Sequence, residues 1–312
     1  MTLVERLLGG EVRALARGIS LVEEQTSSAV ELLREIFPRT GGATVVGVTG
    51  SPGSGKSSLV DRLVASYRAA GDKVGVVAVD PSSAFSGGAV LGDRVRMQSH
   101  ATDDGVFIRS MATRGFLGGL SRTSNDAIDL MDAAGYDPVI VETVGVGQDE
   151  VEVVKTADAV AVVLVPGMGD GIQAIKAGIL EIADLFVINK SDHPGADRLH
   201  AELDYMLSLT STGSKPHPAI LRTVATENEG IEELREGIAA HLDSLAGRRR
   251  DARREARAEA RFRTLLTERL LEHVLRHTLD DAALRQIVED ITHRRIDPYN
   301  AVEHILARLE VR

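Results

Sequence analysis

The chain has 312 residues, a formal net charge of -10, no cysteine and only 3% aromatic residues. This length allows one large α/β domain with appendages or two domains of ordinary size. Without cysteine, thiolate metal sites, disulfides and cysteine nucleophiles are excluded. The acidic charge and the scarcity of aromatic side chains argue against nucleic acid as a partner, because nucleic-acid-binding proteins usually present basic domains and stacking surfaces.

Hydropathy and the amino terminus indicate where the protein works. No apolar run approaches the length of a membrane span. The stretch from Met1 to Arg6 has neither a basic leader followed by an apolar core nor a cleavage site. We therefore expect a cytoplasmic protein with no membrane partner.

The first segment, residues 1–42, predicts an N-terminal helical arm. Apolar residues recur at helical spacing in two runs, which indicate two short amphipathic helices. The members are Val12, Leu15, Ala16 and Ile19 in the first run and Val30, Leu33, Ile36 and Phe37 in the second. Pro38 and Gly41-Gly42 then end the arm. Two short helices cannot bury their apolar faces alone, so we expect the arm to pack on the next domain or on a partner chain.

The central segment, residues 43–245, alternates apolar runs with helical stretches. Seven runs are apolar on both faces, which is typical of strands in a parallel sheet covered by helices on both sides. They are residues 44–49, 74–79, 105–109, 138–142, 159–165, 185–189 and 219–224. The predicted fold class is α/β, with a doubly wound, mostly parallel sheet. Such sheets bind ligands at the carboxyl ends of their strands, where the polar residues of this segment fall.

A glycine-rich run follows the first predicted strand and precedes a predicted helix. It reads Gly50-Ser51-Pro52-Gly53-Ser54-Gly55-Lys56-Ser57-Ser58. This order is the context of a phosphate-binding P-loop, in which backbone N–H groups and a helix N-terminus surround a phosphate. Lys56 would then reach the β- and γ-phosphates, and the Ser57 hydroxyl would bind Mg²⁺. The alternative is an ordinary turn rich in glycine and serine.

Two carboxylates end strands beside the P-loop. Asp80 ends the second predicted strand, and Glu142 ends the fourth. Carboxylates at these tips are placed to hold Mg²⁺, directly or through water, and to order the attacking water. Alternatively, each one only caps the turn or helix that follows. Asp93, between the second and third strands, is a further candidate metal ligand, unless it forms a surface salt bridge with Arg94 or Arg96.

The segments after these strands could serve catalysis or report on it. Gln148 could orient the attacking water, although it lies farther from Glu142 than the equivalent glutamine does in Ras-like proteins. Gly145 and Gly147 would let the backbone approach the γ-phosphate, and the glycine-rich stretch 167–179 could change conformation with the nucleotide. Candidate cations for transition-state charge, unless they lie at the surface, are Arg94, Arg96, Arg109 and Arg114.

A second nucleotide motif, Asn189-Lys190-Ser191-Asp192, follows the sixth predicted strand. The Asp192 carboxylate can accept two hydrogen bonds from the N1–H and 2-amino groups of guanine, whereas adenine has an acceptor at N1 and no 2-amino group. Mispairing would leave a charge unpaired, so ATP would be rejected. Asn189 would hold the loop and the base, and Lys190 would cover the ring. The guanine carbonyl is predicted to meet backbone N–H groups of Val224, Ala225 and Thr226.

The last segment, residues 246–312, is helical by composition and pattern. From Arg248 to Arg263 it is rich in Arg, Glu and Ala, and the interspersed acidic residues favour a long solvated helix over a basic patch for nucleic acid. Asp297 and Pro298 then begin the last helix. Together the helices are too small for a large core, which predicts docking or dimerisation. Their apolar positions include Leu266, Leu270, Val274, Leu284, Ile287, Val288, Ile291, Val302, Ile305, Leu306 and Leu309.

These motifs in this order resemble the MeaB/ArgK family of P-loop GTPases, the chaperones of adenosylcobalamin-dependent methylmalonyl-CoA mutase. The resemblance covers nearly the whole chain. It rests on Arg13 to Arg17, Gly50 to Ser58, Val79 to Ser83, Gly92 to Met97, Glu142 to Gln148, Pro166 to Asp184, Asn189 to Asp192 and Asp297 to Tyr299. Relatives often have a small polar residue where this chain has Val224, which leaves the guanine loop open but not the choice of base.

The resemblance implies a homodimeric GTPase, with GTP or GDP and Mg²⁺ as ligands and with C-terminal helices that form the dimer contact. It also implies that nucleotide state controls loading of intact adenosylcobalamin onto methylmalonyl-CoA mutase and protects that enzyme from inactivation. Two other functions stay open. One is a metallochaperone GTPase for a different metalloenzyme, against which the lack of cysteine and of a histidine-rich tract argues. The other is a P-loop kinase for a small molecule, which the motif ending in Asp192 disfavours.

Overall fold

A computed structural model describes residues 1–80, 98–100, 102–112, 122–143, 153–167, 180, 182–210, 217–245 and 248–310. The chain divides into two compact units, Met1–Arg250 and Asp251–Arg312. No helix in these described ranges is both long and apolar enough to cross a membrane.

The N-terminal arm contains three α-helices, so the prediction of two was wrong. They are α1 (Leu3–Leu8), α2 (Val12–Glu23) and α3 (Ser27–Ile36), followed by a 3₁₀ turn at Phe37–Arg39. Helix α1 begins with a capping box, in which Thr2 and Glu5 bond each other's backbone N–H groups. It buries only Val4 and Leu7, and two apolar positions are too few to reveal a helical period in the sequence.

The buried faces of the arm match the predicted ones only in part, with Leu15, Ile19 and Ile36 buried as predicted. In α3 the buried residues are Ala29, Leu32 and Ile36, whereas Phe37 is 67% exposed because it lies in the 3₁₀ turn. The arm packs on helix α5 (Arg122–Ala133) of the same chain. A Cβ added to Gly18 of α2 would stand 3.3 Å from a Leu130 methyl, so a small residue lets these helices approach closely.

Seven parallel strands form one sheet, as the apolar runs predict. The order across the sheet is β3-β2-β4-β1-β5-β6-β7. Their bounds are β1 (Val45–Gly50), β2 (Val74–Asp80), β3 (Val106–Ala112), β4 (Val139–Glu142), β5 (Ala159–Leu164), β6 (Leu185–Asn189) and β7 (Ala219–Thr223). The central position of β1 places the loop after Gly50 in the middle of the carboxyl edge, between the tips of β4 and β5.

Helices cover both faces of the sheet, which explains why its strands are apolar on both sides. One core cluster joins the sheet to the N-terminal arm and α5. A second joins it to α4 (Lys56–Ala69) and α7 (Ile231–Ser244). Helix α6 (Ala196–Thr210) follows β6, and single 3₁₀ turns occur at Gln98–His100 and Ala225–Glu227.

Three carboxylates hold the linker between the arm and β1. The N–H groups of Gly41, Gly42 and Ala43 all donate to the carboxylate of Asp132 on α5. The next two N–H groups, at positions 44 and 45, donate to Asp137 and Asp158, both at 2.9 Å. Burial raises the pKa of Asp132 above its ordinary value, although the backbone N–H groups oppose that shift. Five successive N–H groups of the linker therefore have carboxylate acceptors.

The second compact unit is helical. Helix α8 (Arg248–His277) leads into it, and α9 (Asp281–Thr292) and α10 (Pro298–Glu310) complete it. Asp280 caps α9 through the N–H of Ala283 at 2.8 Å. Asp297 accepts from the N–H groups of Tyr299 and Asn300 at 3.0 Å, as predicted for the cap of the last helix.

Candidate nucleotide-binding site

The loop between β1 and α4 has the backbone of a phosphate cradle. Gly50, Gly53 and Gly55 have φ angles of 142°, 78° and 87°, a region that side chains disfavour. A Cβ on Gly50 would stand 2.2 Å from the carbonyl oxygen of Val163, and one on Gly55 would stand 2.4 Å from Nδ2 of Asn189. Backbone conformation therefore favours glycine at all three positions, and the close approach of β5 and of the loop after β6 adds a steric reason at Gly50 and Gly55.

A matched pair of glycine substitutions separates these two requirements. Gly135 has a φ of 84°, close to that of Gly55, but an added Cβ there meets nothing within 4 Å. Gly135→Ala should lower the free energy of unfolding by about 1–2 kcal/mol through backbone strain alone. Gly55→Ala should cost a further amount of about 1–3 kcal/mol, because Asn189 must move and give up buried hydrogen bonds. Urea unfolding of the nucleotide-free proteins measures both values, and equal losses would contradict the steric argument.

Lys56 and Ser57 occupy the buried first turn of α4. The Lys56 ammonium donates to the carbonyl oxygens of Gly50 at 2.8 Å and Ser51 at 3.2 Å, so it lies folded over the loop. The Ser57 hydroxyl donates to Oε1 of Glu142 at 2.6 Å, and both residues are buried. Ser58, by contrast, is exposed. The P-loop and the tip of β4 are thus directly connected.

The pair of Ser57 and Glu142 has the chemistry of a magnesium site. Hydroxyl and carboxylate oxygens are hard ligands, and Mg²⁺ is usually held by one or two carboxylates with phosphate oxygens and water. Within the described ranges, no group of three or more His, Asp or Glu side chains could hold a metal ion. Ser57 and Glu142 could contribute two oxygen ligands to Mg²⁺, with oxygens of a nucleotide and of water as the others.

The structure leaves several predicted site residues undescribed. Asp80 is the last residue of β2, in register with Ala112 of β3, and its backbone thus lies at the carboxyl edge, but its side chain is not among those described. Asp93, Gln148 and most of the stretch 167–179 lie outside the described residues, as do Arg94, Arg96 and Arg114. Arg109 lies on edge strand β3 and forms an ion pair with Glu23 of α2, so it attaches the N-terminal arm rather than facing the P-loop.

Asn189 joins three parts of the site. Its Nδ2 donates to the carbonyl of Ser54 in the P-loop at 2.8 Å. Its Oδ1 accepts from the hydroxyl of Thr223 at 3.1 Å and from the N–H of Ala225 at 3.2 Å. All four residues are buried. Asn189 therefore fixes the P-loop relative to the loop after β7, whatever contact it makes with a base.

Lys190 and Asp192 follow Asn189 in the chain, and their side chains have different surroundings. Lys190 has a φ of 55° and donates from Nζ to the carbonyl of Gly53 at 3.0 Å, so its stem crosses above the P-loop. The Asp192 side chain is 55% exposed, and its Oδ2 lies 3.8 Å from Nε2 of His193. Guanine recognition by Asp192, with Lys190 covering the ring, stays a prediction.

The loop after β7 is held by its own backbone. The N–H of Val224 donates to the carbonyl of Glu229 at 3.1 Å, and the N–H of Ala225 is bonded to Asn189. Gly230, with a φ of 70°, lets the chain pass close to Arg222. Two of the N–H groups predicted to meet guanine thus have acceptors inside the protein, while Thr226 lies on the exposed side.

Sequence patterns gave no signal for several other polar contacts around α4. Asp61 accepts from the Ser99 hydroxyl at 2.7 Å, and Arg68 donates twice to Asp103 at 2.9 Å. The Arg68 guanidinium holds the pKa of Asp103 below its ordinary value. These contacts attach the chain ahead of β3 to the helix that begins with Lys56. The Ser54 hydroxyl is buried without a hydrogen-bond partner among the described residues.

The fold and this constellation define a P-loop nucleoside triphosphatase. A parallel sheet carries a glycine-rich loop between its central strand and a helix, with a lysine, a hydroxyl and a carboxylate converging there. The motif Asn189-Lys190-Ser191-Asp192 follows β6 at the same edge of the sheet, where Asn189 bonds to the P-loop.

Comparison with known proteins narrows this class to a family. Residues 15–278 match the family described as methylmalonyl Co-A mutase-associated GTPase MeaB. A Pyrococcus abyssi protein, named as an inferred GTPase, is 48% identical over 98% of this chain and 96% of its own length. GTPase ArgK of Escherichia coli is 39% identical over 75% of this chain and 73% of its own. The chain therefore belongs to the MeaB family and is a GTPase.

A solved structure has the same fold over nearly the entire chain. It is described as a LAO/AO transport system kinase, with 29% sequence identity and a TM-score of 0.74. The likeness covers 99% of this chain and 96% of that one. The P-loop GTPase fold with its additional helices is therefore shared along both chains.

Proposed function

We propose that this protein is a cytoplasmic, Mg²⁺-dependent GTPase that acts as a switch on adenosylcobalamin-dependent methylmalonyl-CoA mutase. In this proposal Lys56 neutralises the β- and γ-phosphates, while Ser57, Glu142 and Asp80 hold the metal. The bound metal would supply charge neutralisation at the phosphates. The protein's own part is to align Lys56 and the backbone N–H groups of the P-loop on the transferring phosphoryl group. Gln148 and Asp93 complete the proposed set, as water-orienting group and metal ligand.

Guanine selection forms a second part of the proposal. Asp192 accepts the N1–H and 2-amino hydrogens, Lys190 covers the ring, and Asn189 holds the loop. The exposed position of Asp192 supports this role, because a base can reach the carboxylate from solvent. The loop formed by Val224, Ala225 and Thr226 is proposed to border the base.

One observation supports the proposed partner. The family match spans residues 15–278 and therefore includes the N-terminal arm from α2 onward, the whole nucleotide site and α8. The description of that family names the mutase. We infer that the nucleotide state of this protein controls cofactor loading onto a methylmalonyl-CoA mutase and limits its inactivation. A metallochaperone role is less well supported, since the chain has no cysteine.

A binding experiment tests the partnership. The protein is immobilised and mixed with methylmalonyl-CoA mutase from the same organism, with GDP, a non-hydrolysable GTP analogue or no nucleotide. The expected result is retention of the mutase, with an affinity that differs between the GTP analogue and GDP. Lys56→Ala, which should bind without distinguishing the nucleotides, is the matched control. Absence of binding in every state would overturn the proposed partnership while leaving the GTPase assignment intact.

We also propose that the protein is a homodimer joined through its C-terminal helices. Exposed apolar side chains support this proposal, because a monomer rarely leaves so many on adjacent helices. They are Phe262, Leu266, Leu270, Leu271, Leu275, Leu284, Val288, Val302 and Leu306. Sedimentation velocity of the full chain measures its mass in solution, and a monomer at all concentrations would exclude the dimer.

A further inference from the structure

Two threonine side chains form a buried contact beside the nucleotide site. Thr49 is the residue before Gly50 at the end of β1, and Thr143 follows Glu142 at the end of β4. The hydroxyl of Thr143 donates to that of Thr49 at 2.8 Å. Their exposures are 1% and 2%, so no water competes for either group. A bond between two buried hydroxyls is sensitive to removal of either one, because the other is left without a partner.

The threonine contact runs beside the bond between Ser57 and Glu142. The backbone continues the same connection, since the N–H of Thr143 donates to the carbonyl of Val48 at 3.0 Å. Gly50, next to Thr49, accepts from the ammonium of Lys56. Side-chain bonds from the successive residues Glu142 and Thr143 thus join the tip of β4 to the P-loop and to the end of β1.

Nucleotide binding affects these two bonds differently. Ser57 and Glu142 are the groups assigned to the metal, so their mutual contact must adjust when Mg²⁺ and phosphate arrive. The threonine bond contains no assigned ligand and needs no adjustment. It is therefore placed to keep the tip of β4 in register with the P-loop while the neighbouring pair changes partners.

We propose that Thr49 and Thr143 are positioning residues for GTP hydrolysis, which act by holding Glu142 in place relative to Ser57 and Lys56. This inference rests on the site assignment proposed above. Small displacements of catalytic groups have large kinetic effects, since about 1 Å can reduce a rate about a hundredfold. Loss of the threonine bond should therefore lower kcat more than it weakens GTP binding, because the P-loop itself keeps its shape.

Valine is the substitution that isolates the hydroxyl, because it keeps the β-branched shape of threonine. We expect Thr49→Val and Thr143→Val each to lower kcat about tenfold, with KM for GTP changed less than about threefold. The double variant should lose no more kcat than either single variant, because each single change already removes the same hydrogen bond. Thr143→Ser, which restores a hydroxyl, should recover most of kcat. The half-saturating Mg²⁺ concentration should rise in the valine variants and return in the serine variant.

Thr156→Val is the matched structural control. The Thr156 hydroxyl donates to Oδ1 of Asn125 at 2.9 Å and lies just before β5, at the sheet edge opposite the P-loop. Its loss should lower the urea midpoint without changing kcat. Wild-type kcat in Thr143→Val, or an equal kcat loss in Thr156→Val, would overturn the positioning role. Lys56→Ala distinguishes failure of the positioning role from failure of the site assignment, because full activity in that variant would overturn the site assignment itself.

Discussion

Lys56→Ala should reduce Mg²⁺-dependent GTP hydrolysis by about 10²- to 10³-fold or to the limit of detection, because a buried cation aimed at the phosphates is removed. The ammonium is held 2.8 Å from the carbonyl of Gly50 and 3.2 Å from that of Ser51, so it is already positioned over the loop. Phosphate release at saturating GTP and Mg²⁺ measures the effect. Chelation of Mg²⁺ should reduce the wild-type rate to a similar level.

Lys73→Ala is the control for the loss of a positive charge. Lys73 is exposed and lies immediately before β2, at the edge of the sheet opposite the P-loop. That variant should hydrolyse GTP at the wild-type rate. Urea unfolding of the nucleotide-free proteins separates loss of catalysis from loss of folding. Full hydrolysis by Lys56→Ala would refute the assignment of the P-loop as the catalytic site.

Asp192→Asn should weaken GTP binding by about 2–4 kcal/mol, which is roughly a 30- to 1,000-fold rise in Kd. The amide that replaces one carboxylate oxygen is a donor, and it would face the donor groups of guanine. Xanthosine triphosphate should bind the variant better than GTP, because xanthine has a carbonyl where guanine has the 2-amino group. Titration calorimetry with both nucleotides measures this exchange of preference.

Asp197→Asn is the control for this change of charge. The Asp197 side chain is 92% exposed and pairs with Arg222. That variant should keep the wild-type preference for GTP. If Asp192→Asn binds GTP with unchanged affinity and still rejects xanthosine triphosphate, another group reads the base.

The sheet could be predicted because its strands are buried on both faces. Apolar runs such as Leu185–Asn189 are buried throughout and show no polar alternation before the terminal Asn189. The end of β3 was the least accurate, since the structure extends it from the predicted residue 109 to Ala112. Arg109 and Ser110 interrupt the apolar run, yet they continue the ladder with β2 opposite Val77 and Ala78.

Contacts between distant side chains were predictable only where chemistry demanded them. Ser57 in the P-loop and Glu142 at the end of a neighbouring strand were both candidate metal ligands, which implies that their side chains lie close together. The bond between Thr49 and Thr143 had no such signal, because threonine in a strand is also explained by β-propensity. The carboxylates that hold the linker were missed for a similar reason, since Asp132 on a helix is usually a solvated residue.

The carboxylate-held linker changes how the arm can be separated from the sheet. A Gly41-Gly42 pair ahead of a compact domain resembles a hinge that a protease would cut, yet the backbone there is bonded to Asp132. An expression boundary chosen at these glycines would remove donors from that carboxylate and uncover the apolar face of α5 that α2 packs against. The arm therefore belongs inside any fragment of this protein that is meant to fold and bind GTP.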